Sequence, residues 1–172
     1  MSFNIVLHPE PMDNIILRNS ITGSDPKIIR NITESTGFFY PDEVDITEGI
    51  ALECLKKELP SRYNFMFAET TAGSTIAFAC FGLIPCTRRS FDIYWLAVHK
   101  DFQSAGIGKQ MIAAVEKSIL ALGGKTIYLD TASRPLYEPT RQFYLRCNYI
   151  PEAQLKDFYD YGDDKIIFAK RF

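Results

Sequence analysis

The chain has 172 residues, 47% hydrophobic and 23% charged. This balance excludes a disordered chain, a collagen-like repeat and a disulfide mini-protein, and it fits one domain over residues 1–172. Nineteen basic against 21 acidic residues leave a net charge of −2, without the basic excess by which nucleic-acid binders neutralise phosphate. The longest apolar run, Ile76 to Ile84, falls short of the roughly 18 residues of a membrane span. The opening Met1-Ser2-Phe3-Asn4-Ile5 lacks the pattern of a signal peptide, so no membrane role and a cytoplasmic setting are expected.

In chain order, Ile15 to Arg18 reads as a first strand. Ser24-Asp25-Pro26 offers a cap with proline at the first helical position, and Ile28, Ile29 and Ile32 follow at helical spacing. Gly37-Phe38-Phe39-Tyr40-Pro41 breaks that helix. Asp45-x-x-Glu48 resembles a capping box, behind which Ile46, Ile50 and Cys54 line one face up to Leu59-Pro60. The period then changes. Asn64 to Glu69 and Thr75 to Ile84 read as a hairpin around Ala72-Gly73-Ser74. Ser90 to Val98 is a further strand, rich in aromatic and β-branched residues.

A polar loop, His99 to Gly108, leads into an amphipathic helix with Ile107, Met111, Val115, Ile119 and Leu122 on one face, closed by Gly123-Gly124. Thr126 to Thr131 is the next strand. Pro139 marks another helix start, Thr140, Phe143 and Cys147 share a face, and Asn148 suits a left-handed cap. Tyr149 to Tyr159 and Lys165 to Lys170 read as a closing strand pair. The order β-α-α-β-β-β-α-β-α-β-β predicts a mixed α/β fold. Its sheet should be antiparallel at the hairpins and parallel where the Ile107–Leu122 helix crosses.

Cys54, Cys80, Cys86 and Cys147 include no C-x-x-C pair, and His8 and His99 are the chain's histidines. No metal site is expected from these, and the thiols read as reduced and structural. The strongest signal is the join through Gln103-Ser104-Ala105-Gly106-Ile107-Gly108 into a helix. Glycines there let backbone N–H groups share a concavity at the positive end of a helix, a cradle for pyrophosphate with Lys109 at its mouth. A dinucleotide-binding loop competes, with Asp130 in place of its ribose acid. Met111 holds the position of its third glycine, and no βαβ series precedes it.

At these residues the chain resembles the GNAT superfamily of acyl-CoA N-acyltransferases. Gln103-x-x-Gly106-x-Gly108 after the strand Leu96-Ala97-Val98 resembles that family's Gln/Arg-x-x-Gly-x-Gly/Ala. Phe143-Tyr144-Leu145-Arg146-Cys147-Asn148-Tyr149 is similar to its Phe/Leu-Tyr-x-x-x-Gly-Phe. Gly37 to Val44, Tyr94 to Val98, Tyr137 to Tyr144 and Asp157-Phe158-Tyr159 through Lys165 resemble a bacterial subgroup without a settled substrate.

The resemblance implies a GNAT-like fold, a mostly antiparallel twisted sheet flanked by helices. It implies transfer of the acetyl group of acetyl-CoA to the primary amine of a small molecule or peptide, by direct attack and without a metal. Leu96, Ala97 and Val98 would carry the pantetheine arm. Gln103, Ser104, Ala105, Gly106, Ile107, Gly108 and Lys109 would hold the pyrophosphate. Tyr144 would protonate the departing thiolate. The family's frequent glutamate on the fourth strand is replaced by Tyr94, which leaves Asp92, on the same face by alternation, or ordered water as the base.

Phe39, Tyr40 and Tyr94 would border the acceptor, or anchor the core. Asp160, Asp163 and Asp164 would hold a cationic acceptor or form a solvated turn. Arg141 would meet a CoA phosphate or lie on the surface, and Thr131 and Ser133 would flank the groove. The resemblance leaves a homodimer open. It also leaves open a non-catalytic acyl-CoA sensor on the same fold, favoured by the missing glutamate.

Overall fold

A computed structural model describes residues 14–56 and 62–172. Its elements are β1 (Ile15–Arg18), α1 (Asp25–Thr36), α2 (Pro41–Lys56), β2 (Asn64–Thr70), β3 (Thr75–Leu83), β4 (Ser90–Val98), α3 (Ile107–Ala121), β5 (Thr126–Ala132), α4 (Glu138–Arg146), β6 (Ile150–Asp160) and β7 (Asp163–Arg171). The predicted order and mixed α/β class are borne out. The seven strands form one sheet in the order β1-β2-β3-β4-β5-β7-β6. The β4–β5 pair is parallel and the others are antiparallel. The predicted end of the second helix at Leu59-Pro60 lies outside the described residues.

Each face of the sheet has its own core. On one, Ile29 and Ile32 of α1 and Ala51 of α2 pack on Phe65, Phe67, Phe78 and Cys80. On the other, Ile107, Met111, Val115 and Ile119 of α3 pack on Ile76, Ala79, Phe91, Ile127 and Leu129. Leu122, expected on that stripe, is the C-cap of α3 and is 59% exposed. The helix ends one residue before it, at Ala121.

Local chemistry sets the α1 boundaries. Pro26 pre-sets the helical φ, and Gly37 ends the helix at φ 69°, a left-handed value that suits glycine. The expected Ser24 cap is absent, because that side chain makes no capping bond. Asp25, fully buried, secures this end instead. It accepts the Thr22 backbone N–H at 2.6 Å and two bonds of 2.9 Å from the Arg18 guanidinium. That guanidinium lies 4.3 Å from the centre of the Phe67 ring and also donates to Glu69 at 2.7 Å. Asp25, first of all its partners, raises the Arg18 pKa.

The α2 start differs from expectation. Pro41 opens the helix, and Glu43 accepts the Tyr40 backbone N–H at 2.7 Å, half of a capping box five residues early. Asp45 and Glu48 instead pair with Arg30 of α1. The buried stripe is Val44, Thr47 and Ala51, and Ile46 is 54% exposed. Thr47 can turn inward because its hydroxyl donates to the Glu43 carbonyl.

Two irregularities shape the sheet. Cys80 pairs with Trp95 and Phe81 with Ile93, so Tyr94 is an extra residue in β4. This bulge puts Tyr94 and Trp95 together against the α1/α2 core while Ile93 and Leu96 keep to the other. In β6, Leu155 pairs with Lys165 but Asp160 pairs with Asp163, so the residues between them bow outward. The bow is tied to Asp164, which accepts the Asp157 backbone N–H at 3.0 Å, the Lys156 Nζ at 2.7 Å and the Gln154 amide. Lys156 first, then those other donors, hold the Asp164 carboxyl at about 2.

Removal of one partner from a buried ion pair leaves the other without compensation. Asp25→Ala should therefore lower the unfolding free energy by about 3 kcal/mol, read from urea titration. A loss below about 1 kcal/mol would place this ion pair with the weak surface ones.

Candidate active site

The site begins where the sheet comes apart. β4 and β5 pair over three positions, Ser90 with Thr126 through Asp92 with Tyr128. Beyond them β3 still holds β4 as far as Val98, and β7 still holds β5 as far as Ala132. Each strand is therefore secured on its outer side while the join between them opens. Among the described residues, the β5-facing backbone groups of β4 have no strand partner from Ile93 onward. The opening forms a cleft of about 570 Å³ lined by Leu96, Ala97 and Val98 of β4, Asp130 and Thr131 of β5, and α4.

At the α3 end the cleft meets the glycine loop. Ser104 and Gly106 adopt left-handed φ values of 64° and 80°, which bend successive N–H groups toward one side. Among the described residues no backbone N–H from Ser104 to Gly108 donates a hydrogen bond to a backbone carbonyl. The first that does is Lys109, to Gly106, at 3.1 Å. Gln103 spans the loop and donates to the Val98 carbonyl at 3.0 Å. Gln103, Ser104, Gly106, Gly108 and Lys109 line the cleft. Ala105 and Ile107 do not; their side chains are buried in the core, leaving only their backbone to the cradle.

Tyr144 lines the same cleft from α4 and is 7% exposed, with Phe143, Tyr149 and Phe168 rings around it at 5.5 to 6.1 Å. Burial, and then the Asp130 charge, push its phenol pKa well above the ordinary value. Such a phenol keeps its proton until a strong base appears.

The α1/α2 face closes the far end. Phe38, Phe39 and Tyr94 line the cleft; Tyr40, expected there too, does not line it and is 51% exposed. The Tyr137 hydroxyl donates to the Phe38 carbonyl at 2.9 Å, and Arg134 donates to the Tyr40 hydroxyl at 2.7 Å. These bonds tie the α1–α2 loop to the chain between β5 and α4. Asp92 lies below the opening and does not line it. Its pKa is raised to about 6, by burial first and by Asp130 second, with Lys165 opposing.

Several expectations are corrected. Asp163 and Asp164 are buried anchors, not a solvated turn or an open acceptor site. Asp163 accepts the Ser133 backbone N–H at 3.1 Å, and the Asp164 N–H donates to the Ser133 hydroxyl at 2.8 Å. Ser133 is thereby structural, whereas Thr131 lines the cleft. Arg141 donates to the Ala132 carbonyl at 2.7 Å and pairs with Glu138, so it pins its own loop. Arg146, Thr140 and Asp130 line the cleft without having been assigned there. Asp130 had a signal: it ends the run Ile127-Tyr128-Leu129, on the side opposite the apolar residues.

Residues 29–149 match the Acetyltransferase (GNAT) family. The chain belongs to that family. It is similar over 92% of its length, at 35% identity and a TM-score of 0.86, to a GNAT-family protein from Desulfovibrio desulfuricans, of which it covers 99%. Its fold is also that of the ribosomal-protein-S18-alanine N-acetyltransferase of Escherichia coli (15% identity, TM-score 0.70, covering 92% of this chain and 94% of that one). An aminoglycoside 6′-N-acetyltransferase solved with coenzyme A shares it too (19% identity, TM-score 0.68, covering 91% and 96%). A comparison with curated protein sequences gave no match.

Asp92 should titrate near pH 6 in carbon NMR of the folded protein. Because the Asp130 charge raises it, Asp130→Asn should move that midpoint down toward the ordinary aspartate range. A midpoint that does not move would mean that burial alone sets it.

Proposed function

We propose that the protein transfers the acetyl group of acetyl-CoA to the primary amine of a small molecule or peptide, in a ternary complex. The observation that carries this reading is the cleft between β4 and β5. It runs from a row of uncommitted N–H groups at a helix N-terminus to a buried phenol. A pyrophosphate suits the N–H row, since backbone donors and the helix dipole both favour an anion. Lys109 and Arg146 line the cleft as cations beside it. The pantetheine arm suits the open edge of β4, where unpaired backbone groups replace the missing strand.

In this reading the β4 backbone donors polarise the thioester carbonyl as charge develops on its oxygen. The amine attacks from the α1/α2 face, bordered by Phe39 and Tyr94. Asp92, ionised above about pH 6, collects a proton through water. Tyr144 donates its proton to sulfur as the carbon–sulfur bond breaks. A phenol with a raised pKa is a weak acid, but a thiolate leaving into a buried cleft is poorly solvated and takes up a proton readily. The family resemblance leaves a homodimer open.

Gly106→Asp would put an L side chain at a left-handed φ and a negative charge at the cradle. Calorimetry on the folded variant should show acetyl-CoA affinity reduced by at least about tenfold, a little over 1 kcal/mol. Undiminished affinity would remove the loop from the binding site.

Tyr144→Phe keeps the ring and its packing. Its turnover should fall by on the order of 10²–10⁴, with acetyl-CoA affinity little changed, because the proton is needed only as sulfur departs. The measurement is CoA release with an acceptor found in an amine-panel screen. A variant that turns over at the wild-type rate, where chemistry is limiting, would leave Tyr144 a packing residue.

A further inference from the structure

Asp130 stands two residues past the last β4–β5 pair, on the arm of β5 that borders the opening. Ile127 and Leu129 point into the α3-side core, so alternation turns Asp130 to the opposite face, the one the amine would approach. Its carboxylate is held from two further strands. The Tyr159 hydroxyl donates to Oδ1 at 2.7 Å, and the Lys165 Nζ lies 2.8 Å from Oδ2. The outward bow of β6, built on Asp164, is the segment that carries Tyr159. Lys165 is steadied in turn by the Phe158 ring, 4.9 Å away.

Two donors fix the plane of the carboxylate and leave accepting capacity on both oxygens, since an ionised carboxylate takes about four. A third of the side chain, 33%, remains exposed. The Asp130 charge acts on Tyr144 across the cleft and on Asp92 of β4. Asp130 therefore sits on the wall of the cleft that Tyr144 also lines, within electrostatic reach of both groups that the mechanism uses. Asp92 is set below the opening, and Asp163 is closed off by Ser133 and an ion pair to Arg134 at 3.0 Å.

We propose that Asp130 binds the acceptor ammonium and aims its nitrogen at the open join between β4 and β5. This rests on the reading of the cleft as an acyl-CoA site. From that position one N–H proton passes to a carboxylate of this face, and the freed lone pair forms the carbon–nitrogen bond. A second proton leaves the nitrogen for water. The carbon–sulfur electron pair departs with sulfur, which takes the Tyr144 proton. The protonated carboxylate and the phenolate then reset through solvent. Tyr159 and Lys165 are positioning residues, which fix the plane of the carboxylate.

The test needs no knowledge of the natural acceptor. S-(2-aminoethyl)-CoA carries an ammonium just beyond sulfur, close to where the attacking nitrogen would lie, and S-propyl-CoA is its neutral counterpart. Calorimetry near neutral pH should show the wild-type protein binding the aminoethyl compound about tenfold or more tightly than the propyl one, as a charge-assisted contact predicts. Asp130→Asn should abolish that preference and leave S-propyl-CoA affinity unchanged, which also shows that the variant is folded. Asp130→Ser serves the same purpose should Asn disturb the strand. Tyr159→Phe should reduce the preference in part.

No preference in the wild type, or a preference that survives loss of the Asp130 carboxylate, would overturn the assignment while the acyl-CoA reading stands. Failure of both analogues to bind the wild type would overturn that reading, and this assignment with it.

Discussion

The constraint on which the structure depends is the interrupted pairing of β4 and β5. Two parallel neighbours hydrogen-bond for three residue pairs and then part, each kept in the sheet by its other neighbour. A sheet normally leaves unpaired backbone groups at its edges; here the same kind of edge is opened in the middle. The extra residue at Tyr94 in β4 helps to re-aim that strand as it leaves β5. The two arms also place the next elements of the chain. The end of β4 runs into the glycine loop and the start of α3, and the end of β5 runs into α4 and Tyr144. Cradle and phenol thus face one cleft because the strands that precede them border it.

The two ends of that cleft differ in charge for separate structural reasons. On the α3/α4 side the positive character comes from backbone N–H groups that donate to no backbone carbonyl among the described residues, together with Lys109 and Arg146. On the α1/α2 face it is side chains that matter, with Asp130 on the cleft wall and Asp92, below the opening on the neighbouring strand, turned the same way. The low-dielectric surroundings raise both the Asp92 carboxyl and the Tyr144 phenol, which suits groups that must take and give protons. Asp164 has the opposite environment. Three donors hold it ionised, and its charge fixes the shape of β6.

Most of the fold was legible because its elements carry local signals. Val, Ile and aromatic residues mark the strands, and Ile107, Met111, Val115 and Ile119 mark α3 at helical spacing. The errors arose where two local patterns competed. Pro41 both breaks a chain and opens a helix, and the choice fell to Glu43, whose bond to the Tyr40 N–H is visible only once the helix exists. Asp45 and Glu48 looked like a cap but answer to Arg30 on another helix. Ser24 looked like a cap but gave way to Asp25, whose ion pair with Arg18 depends on β1 lying beside α1.

By itself the sequence determined the order of the elements, the glycine loop and the tyrosine on the last helix. Those features are set by neighbours a few residues apart, through φ preferences, periodicity and helix-end chemistry. The tertiary structure alone decided that β4 and β5 part after Asp92, that Tyr94 is a bulged residue, and that Asp163, Asp164 and Arg141 are anchors rather than ligand contacts. It alone brought Asp130, Tyr159 and Lys165 together from three strands. Strand register and the burial of a charge depend on partners distant in sequence, and no local pattern records which partner the folded chain will supply.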